Sequence, residues 1–418
     1  MSDDQGFTMI ELLIVIVVLG IMAAVVVFAL GGVTQNSITA ACQADGNTLQ
    51  TAVASFTTNN SAVTPTIANL QSSSFGGPYI QSWPTSTSFV FSLTGGQLQL
   101  SVGGGPTANY TGSSSCSTAS SSSSAPFTSI ISTTSGLSSP IGIGITPSGS
   151  AAYIANYGNG TVAVLNTGTD TVSSTISVQS QPFGVAISPN GSVAYVTNSG
   201  SGTTSVINTA TNTVTATFGT GSKPEGIAIT PNGNFLYIAD AAANVVAVYS
   251  TATRSLVGAT FVGTGPAHVA ITPDGSFAYV TNAIGNSVSV IDTSTRGVVA
   301  TIPISSTAWG IAITPNGSTA YVVGDAKVSI INTSSNTVSS VLSTTATHLY
   351  GVAVTPDGST VYVSDSGPSS VAIRVIDTTS NTVTSTFGTM TSPSDIAILP
   401  NGSKGYVNDN GAGSTAVL

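Results

Sequence analysis

The stretch Gly184-Val185-Ala186-Ile187-Ser188-Pro189-Asn190-Gly191-Ser192-Val193-Ala194-Tyr195-Val196-Thr197-Asn198 decides the fold of most of this 418-residue chain. A short apolar run meets a turn in which Pro pre-sets φ and Gly accepts φ > 0, and a second apolar run holding a tyrosine follows. The turn proline recurs at 147, 189, 231, 273, 315, 356 and 400, in steps of 42, 42, 42, 42, 41 and 44 residues. The tyrosine recurs with it, as Tyr153, Tyr195, Tyr237, Tyr279, Tyr321, Tyr362 and Tyr406. A third run in each unit ends in Asn or Asp, as Ser287–Asp292 does, and a polar turn such as 208–213 leads to a fourth. Four strand-like runs at this period indicate one propeller blade per repeat, seven in all.

The seventh unit reaches Leu418 after three runs, while Phe127-Thr128-Ser129-Ile130-Ile131-Ser132 precedes the first unit and reads as a missing fourth strand. The ring is therefore expected to close with one strand from before the repeats and three from after them, which leaves no free edge inside it. Deleting the last 25 residues should then unfold the ring. Tyr195-Val196-Thr197-Asn198 and Tyr279-Val280-Thr281-Asn282 match the name-giving motif of the YVTN β-propellers, and residues 127–418 resemble that family. Tyr321-Val322-Val323-Gly324 departs from it most.

The start of the chain is different in kind. Residues 7–30 are almost wholly apolar and, as a helix, about 36 Å long, enough to cross a bilayer. One carboxylate, Glu11, stands inside the run, where a charge costs at least a few kcal/mol. An ordinary secretory signal would carry a basic leader and a small-residue cleavage site. Here Met1-Ser2-Asp3-Asp4-Gln5-Gly6 is acidic, and the first basic residue is Lys223. The leader, the Gly6-Phe7 junction and Glu11 resemble the class III signal of type IV prepilins. That resemblance implies cleavage after Gly6 by a prepilin peptidase and methylation of the new amino terminus on Phe7. It also implies that Glu11 faces the amine of a neighbouring copy inside a filament. An acid in low dielectric that finds its partner only in the assembly would set the register.

Beyond Gly32, residues Val33, Ile38, Ala41, Cys42, Leu49, Val53 and Phe56 recur at helical spacing, so one helix is expected over about 7–58. Residues 88–93 and 97–102 flank Thr94-Gly95-Gly96 and read as a hairpin. Cys42 and Cys116, the chain's two cysteines, are expected to form a disulfide in an exported protein. Residues 113–126 are mostly Ser and cannot form a core, so they read as a tether.

Catalysis needs titratable groups, and Lys, Arg, Asp and Glu make up only 5% of the chain, with two histidines. No CxxC, HExxH, phosphate loop or nucleophile elbow is present. Asp292 and Asp377 are matched by Asn166, Asn208 and Asn332 at the same place in other repeats, so they read as turn caps. Few carboxylates also means few groups that acid can protonate, so tolerance of low pH is expected. A net charge of −9 without a basic patch argues against nucleic acid.

Binding is better supported than chemistry. The position just before each first strand reads Ile141, Phe183, Glu225, Ala267, Trp309, Tyr350 and Ser394, and the next reads Gly142, Gly184, Gly226, His268, Gly310, Gly351 and Asp395. Flat rings beside carboxylates at one channel mouth suit a sugar or a cation. The alternative is that they plug the ring.

The expectation is a multidomain chain. It has a leader (1–6), an α+β type IV pilin part (7–112), a linker (113–126) and an all-β seven-bladed propeller (127–418). It is expected to be no enzyme and to need no cofactor. Its implied role is as a structural subunit of a type IV pilus-like filament, with a minor tip adhesin or a non-polymerising membrane-anchored propeller as the alternatives. Its implied partners are copies of itself through the N-terminal helix, the prepilin peptidase and pilus assembly machinery, the cytoplasmic membrane before assembly, and a surface glycan or another cell. Its final place is outside the cell, on the pilus.

Overall fold

The computed structural model describes residues 35–61, 63–73, 77–80, 89–94, 96–102, 108–110, 127, 129–130, 132–367 and 372–418. Gly6, Phe7 and Glu11, with the apolar run around them, lie outside the described residues, and so do Cys116 and the Ser-rich stretch 113–126. Among the described residues no helix is long and apolar enough to cross a membrane. The chain divides into two compact units, 1–120 and 121–418.

In the first unit, helix α1 (Gln35–Asn59) buries Cys42, Leu49, Ala52 and Phe56, which recur at helical spacing along one stripe. That stripe shares a core with Leu70 of the short helix α2 (Ile67–Gln71), with Ile80, and with Phe91, Leu98, Leu100 and Tyr110. Phe91 and Leu98 stand in the expected hairpin, Phe89–Thr94 paired with Gln97–Val102, to which Ala108–Asn109 adds a third strand. The Tyr110 ring lies so close to α1 at Gly46 that a Cβ there would collide with it, so the helix tolerates a poor helix former at that point. Cys42 is fully buried and disulfide-bonded.

The second unit is seven four-stranded antiparallel sheets. In one of them Pro182–Ile187, Val193–Asn198, Thr203–Asn208 and Thr213–Gly219 follow one another from the inside outward. The first strand of every blade neighbours the first strand of the next, around a closed ring. The apolar cores lie between blades: Tyr153, Val162 and Val164 of one pack against Ala194, Val196 and Ile207 of its neighbour. The tyrosine that marks the repeat bonds across the seam in five of the blades, among them the following. The Tyr153 hydroxyl donates to Asn212 Oδ1 at 2.6 Å, Tyr279 to Asn336 Oδ1 at 2.6 Å, and Tyr321 to Asn381 Oδ1 at 2.8 Å, each in the outer turn of the following blade.

The last blade closes as expected in kind but not in place. Its fourth strand is Ser132–Ser135, paired with Ser414–Val417, rather than 127–132. The apolar residues that made 127–132 look like a strand are used for packing instead. Phe127 and Ile130 sit against the cluster of Tyr362, Met390 and Leu418, and Phe127 stacks on Tyr362 with ring centroids 5.1 Å apart. The outermost strand, with one face to solvent, is made of the polar sequence Ser-Thr-Thr-Ser.

Candidate functional site

The predicted rim positions lie within the innermost strands rather than before them. Phe183 is the second residue of Pro182–Ile187, Glu225 of Pro224–Ile229, and Tyr350 of Leu349–Val354. A shift in register follows the first residue of each such strand, a bulge that aims the second and third residues into the channel. In the fifth blade the strand shortens to Ile311–Ile313, and Trp309 does precede it.

The glycine at the next position has a steric cause. A Cβ on Gly142, Gly184, Gly226, Gly310 or Gly351 would run into the carbonyl oxygen of Phe183, Glu225, Ala267, Tyr350 or Ser394 of the following blade. The threonine of the Tyr-Val-Thr-Asn motif ties this contact: Gly184 N–H donates to Thr197 Oγ1 at 2.9 Å, and Thr197 Oγ1 donates to the Glu225 carbonyl at 2.6 Å. Thr281 repeats the tie between His268 and Trp309.

Two of the seven steps carry side chains, and those side chains meet. His268 Nε2 stands 3.5 Å from Asp395 Oδ1, an ion-pair separation between the fourth and seventh blades. The imidazole also packs against Phe183 of the second blade at 6.0 Å and edge-on to Tyr350 of the sixth at 5.9 Å. Tyr350 stacks on Trp309 at 5.8 Å. His268 is thus the hub on which the mouth residues converge. Ala267 and Ser394 are buried, and Ser394 Oγ donates to the Pro140 carbonyl at 2.9 Å, so these two ring members serve packing.

Glu225 joins through a residue the sequence did not single out. Lys223 Nζ sits 2.7 Å from Glu225 Oε1; the lysine side chain is 54% exposed and the glutamate only 9%. Lys223 stands just before the strand Pro224–Ile229, two residues from Glu225, and that closeness of opposite charges was the available signal. Tyr157, which packs edge-on against Phe183 at 6.5 Å, was missed because it follows Asn156 in a turn that other repeats fill with small residues. His348 Nδ1 lies 3.1 Å from Asp325 Oδ1 nearer the surface, beside Trp309.

The electrostatics belong to the group rather than to any member. Burial pulls the His268 pKa down, but the Asp395 and Glu225 charges outweigh it and leave the imidazole above its usual 6.5. Burial, with Asp395 and Glu225 nearby, pushes the Tyr350 phenol well above its usual range. The bond to Glu225 raises Lys223. Trp309 Nε1 is buried and hydrogen-bonded to nothing among the described residues, and the His268 imidazole has Asp395 at ion-pair distance as its side-chain partner. Also among the described residues, no group of three or more His, Cys, Asp or Glu is placed to hold a metal ion.

Asp292 and Asp377 cap turns as expected. Asp292 Oδ1 accepts from the N–H of Ser294 and of Thr295, and Asn208 Oδ1 accepts from Ala210 and Thr211 in the same geometry.

Residues 1–27 match the prokaryotic N-terminal methylation motif. Residues 185–293 and 256–410 match the family described as lactonase, 7-bladed beta-propeller. None of the curated proteins matches the chain. Among solved structures, a chain of Kuenenia stuttgartiensis hydrazine synthase is similar, at 23% identity and TM-score 0.62 over 68% of this chain and 96% of that one. At that identity the likeness concerns the fold. With more than half of its length matched, with seven sheets in a closed ring and with the methylation motif at its start, the chain belongs to the lactonase-type seven-bladed β-propeller family and carries a prepilin signal ahead of the propeller.

Proposed function

We propose that this chain is a structural subunit of a type IV pilus-like filament that displays its propeller as a surface binding domain. In this reading the peptidase cuts after Gly6, Phe7 is methylated, and Glu11 answers the Phe7 amine of the next copy. Cys42 and Cys116 brace the part that carries the helix. One observation carries the binding role: residues that break the repeat gather at the channel mouth. Where the repeat demands glycine, His268 and Asp395 intrude and face each other, and Phe183, Glu225, Trp309 and Tyr350 surround them. Side chains with a purely architectural task recur in every blade, as the tyrosines do.

Filaments sheared from cells test the display. The chain should be abundant along their length, and Glu11→Ala should leave it in the membrane. Labelling confined to filament ends would mean a tip adhesin instead, and a chain absent from filaments would remove the proposal.

A second reading rests on the His268–Asp395 pair and on the family's description. A carboxylate-supported imidazole can draw a proton from water attacking a lactone carbonyl. Ring opening of a sugar lactone, lost in His268→Asn, would establish it; the binding-domain reading expects no turnover.

A further inference from the structure

The mouth already holds one ligand-like group, and it is the chain's own. Lys223 reaches from the rim with a side chain that is 54% exposed and sets its ammonium 2.7 Å from a carboxylate that is 9% exposed. The Glu225 charge reaches Tyr350 and His268, Tyr157 acts on Lys223 and packs on Phe183, and a second carboxylate, Asp395, faces His268. With His268 neutral, Glu225 and Asp395 outnumber Lys223 by one negative charge. Aromatic faces with unbalanced carboxylates attract an organic cation.

We propose that the mouth binds a ligand presenting a primary ammonium, which displaces Lys223 from Glu225 and packs its carbon framework on the Tyr350–Trp309 stack. This rests on the reading of the mouth as a binding site and names its ligand class. Two arguments favour displacement over a permanent internal pair. The lysine is held at one end only, by an exposed stem that gives up little on leaving. The glutamate cannot be left unpaired, since a buried carboxylate without a partner is costly, so the site keeps a replaceable cation until a better one arrives. Trp309 Nε1, buried and without a hydrogen-bond partner among the described residues, offers a polar contact for a hydroxyl beside the amine.

The pH dependence follows from the charges facing His268: Asp395, Glu225 and the phenol of Tyr350, with Lys223 beyond. Protonated His268 cancels the surplus negative charge. Ammonium binding should weaken as pH falls through the raised imidazole pKa and persist above it.

The test is calorimetry on the full-length chain in detergent, with glucosamine trisaccharide, its fully N-acetylated form, and spermidine as probes. Glucosamine trisaccharide should bind and the acetylated form should bind at least about tenfold more weakly. Spermidine in place of the sugar would identify a flexible polyamine as the source of the ammonium. Lys223→Met removes the internal competitor at an exposed position and should tighten amine binding by about tenfold; Glu225→Gln should abolish it. Lys223→Met keeps the test decisive if Glu225→Gln folds poorly. Equal binding of the free and acetylated sugars would overturn the ammonium inference and leave the binding domain standing. Binding of none of the three, or a weaker site in Lys223→Met, would overturn the inference, and the first of these would remove the mouth as a binding site too.

Discussion

Six seams of the propeller join blades that follow one another in sequence, and one joins the seventh blade to the first. The ordinary seams use mainly neutral hydrogen bonds: a tyrosine hydroxyl on the next blade's outer turn and a threonine or serine on the next inner carbonyl, with a glycine where the backbones touch and, at one seam, Arg296 over the Phe235 ring. The closing seam keeps the plan and charges it. Tyr406 donates to Asp170 Oδ1 at 2.6 Å, and Lys404 Nζ sits 2.7 Å from the other oxygen of the same carboxylate. Asn408 Nδ2 donates to the Ile141 carbonyl at 2.8 Å, and Ser132–Ser135 pairs with Ser414–Val417. Residues 136–139 lead from the outermost strand of the seventh blade to the first strand of the first, as at every other seam, and charge-assisted bonds reinforce this one.

The largest way to break this contrast is to remove the imported strand. Deleting residues 127–135 exposes the edge at Ser414–Val417 and the cluster around Tyr362, and the loss should exceed the roughly 5–15 kcal/mol by which a domain is stable. Calorimetry should show no cooperative transition for the propeller; retention of one would mean that the ring closes with a three-stranded seventh blade.

Next are the glycine steps. Gly226→Val or Gly351→Val drives a side chain into the neighbouring carbonyl and should cost about 1–3 kcal/mol or more, read from denaturant melts. His268→Gly, at the same step, meets no such clash and should lose the pairing with Asp395 and the packing on Phe183 and Tyr350 while keeping the ring closed.

A smaller effect compares the seams directly. Asp170→Ala should cost about 2–3 kcal/mol, because it strips bonds from both Tyr406 and Lys404, whereas Asn336→Ala, which removes one neutral acceptor from Tyr279, should cost about 1 kcal/mol. Equal losses would dissolve the distinction.

The smallest effect is in pH. Hydrogen bonds from Thr272 and Ser276 lower the Asp274 pKa, and bonds from Thr355 and Ser359 lower Asp357 against the opposing effect of burial. Folded pKa values below the unfolded 3.8 mean that this stability is complete above about pH 4 and is lost as pH falls through the lower folded values. The melting temperature should decline gently below pH 4, and Asp274→Asn with Asp357→Asn should flatten the slope. A sharp collapse near pH 4 would place the acid sensitivity elsewhere.

The period, the strands and the turn caps were legible because each recurs with its own chemistry: proline and glycine for the turn and tyrosine in the second strand in all seven repeats, and Asn or Asp before the outer turn in five. What the tyrosine does was not legible, since its acceptor lies more than 50 residues on, as Asn212 does from Tyr153. The closing strand was misplaced because Phe127 and Ile130 have strand-like side chains that tertiary packing took for another use. At the mouth, Phe183, Glu225, His268, Trp309, Tyr350 and Asp395 were found by aligning repeats, but the meaning of the glycine beside them appears only when the next blade's carbonyl is in place. Lys223 and Tyr157 escaped because they stand outside the two ring positions that were compared, Lys223 two residues before one of them and Tyr157 in a turn.

Phe127 and the strand Ser132–Ser135 also decide how the propeller bears load. Tension arriving along the chain from its N-terminal side reaches Phe127 before any blade. There the stacked Tyr362 ring, and the 2.7 Å bond from the Phe127 N–H to the Tyr362 hydroxyl, anchor it to the sixth blade. The pull is shared between two blades before the outermost strand of the seventh can peel, so a domain hung by its edge is held partly by its neighbour.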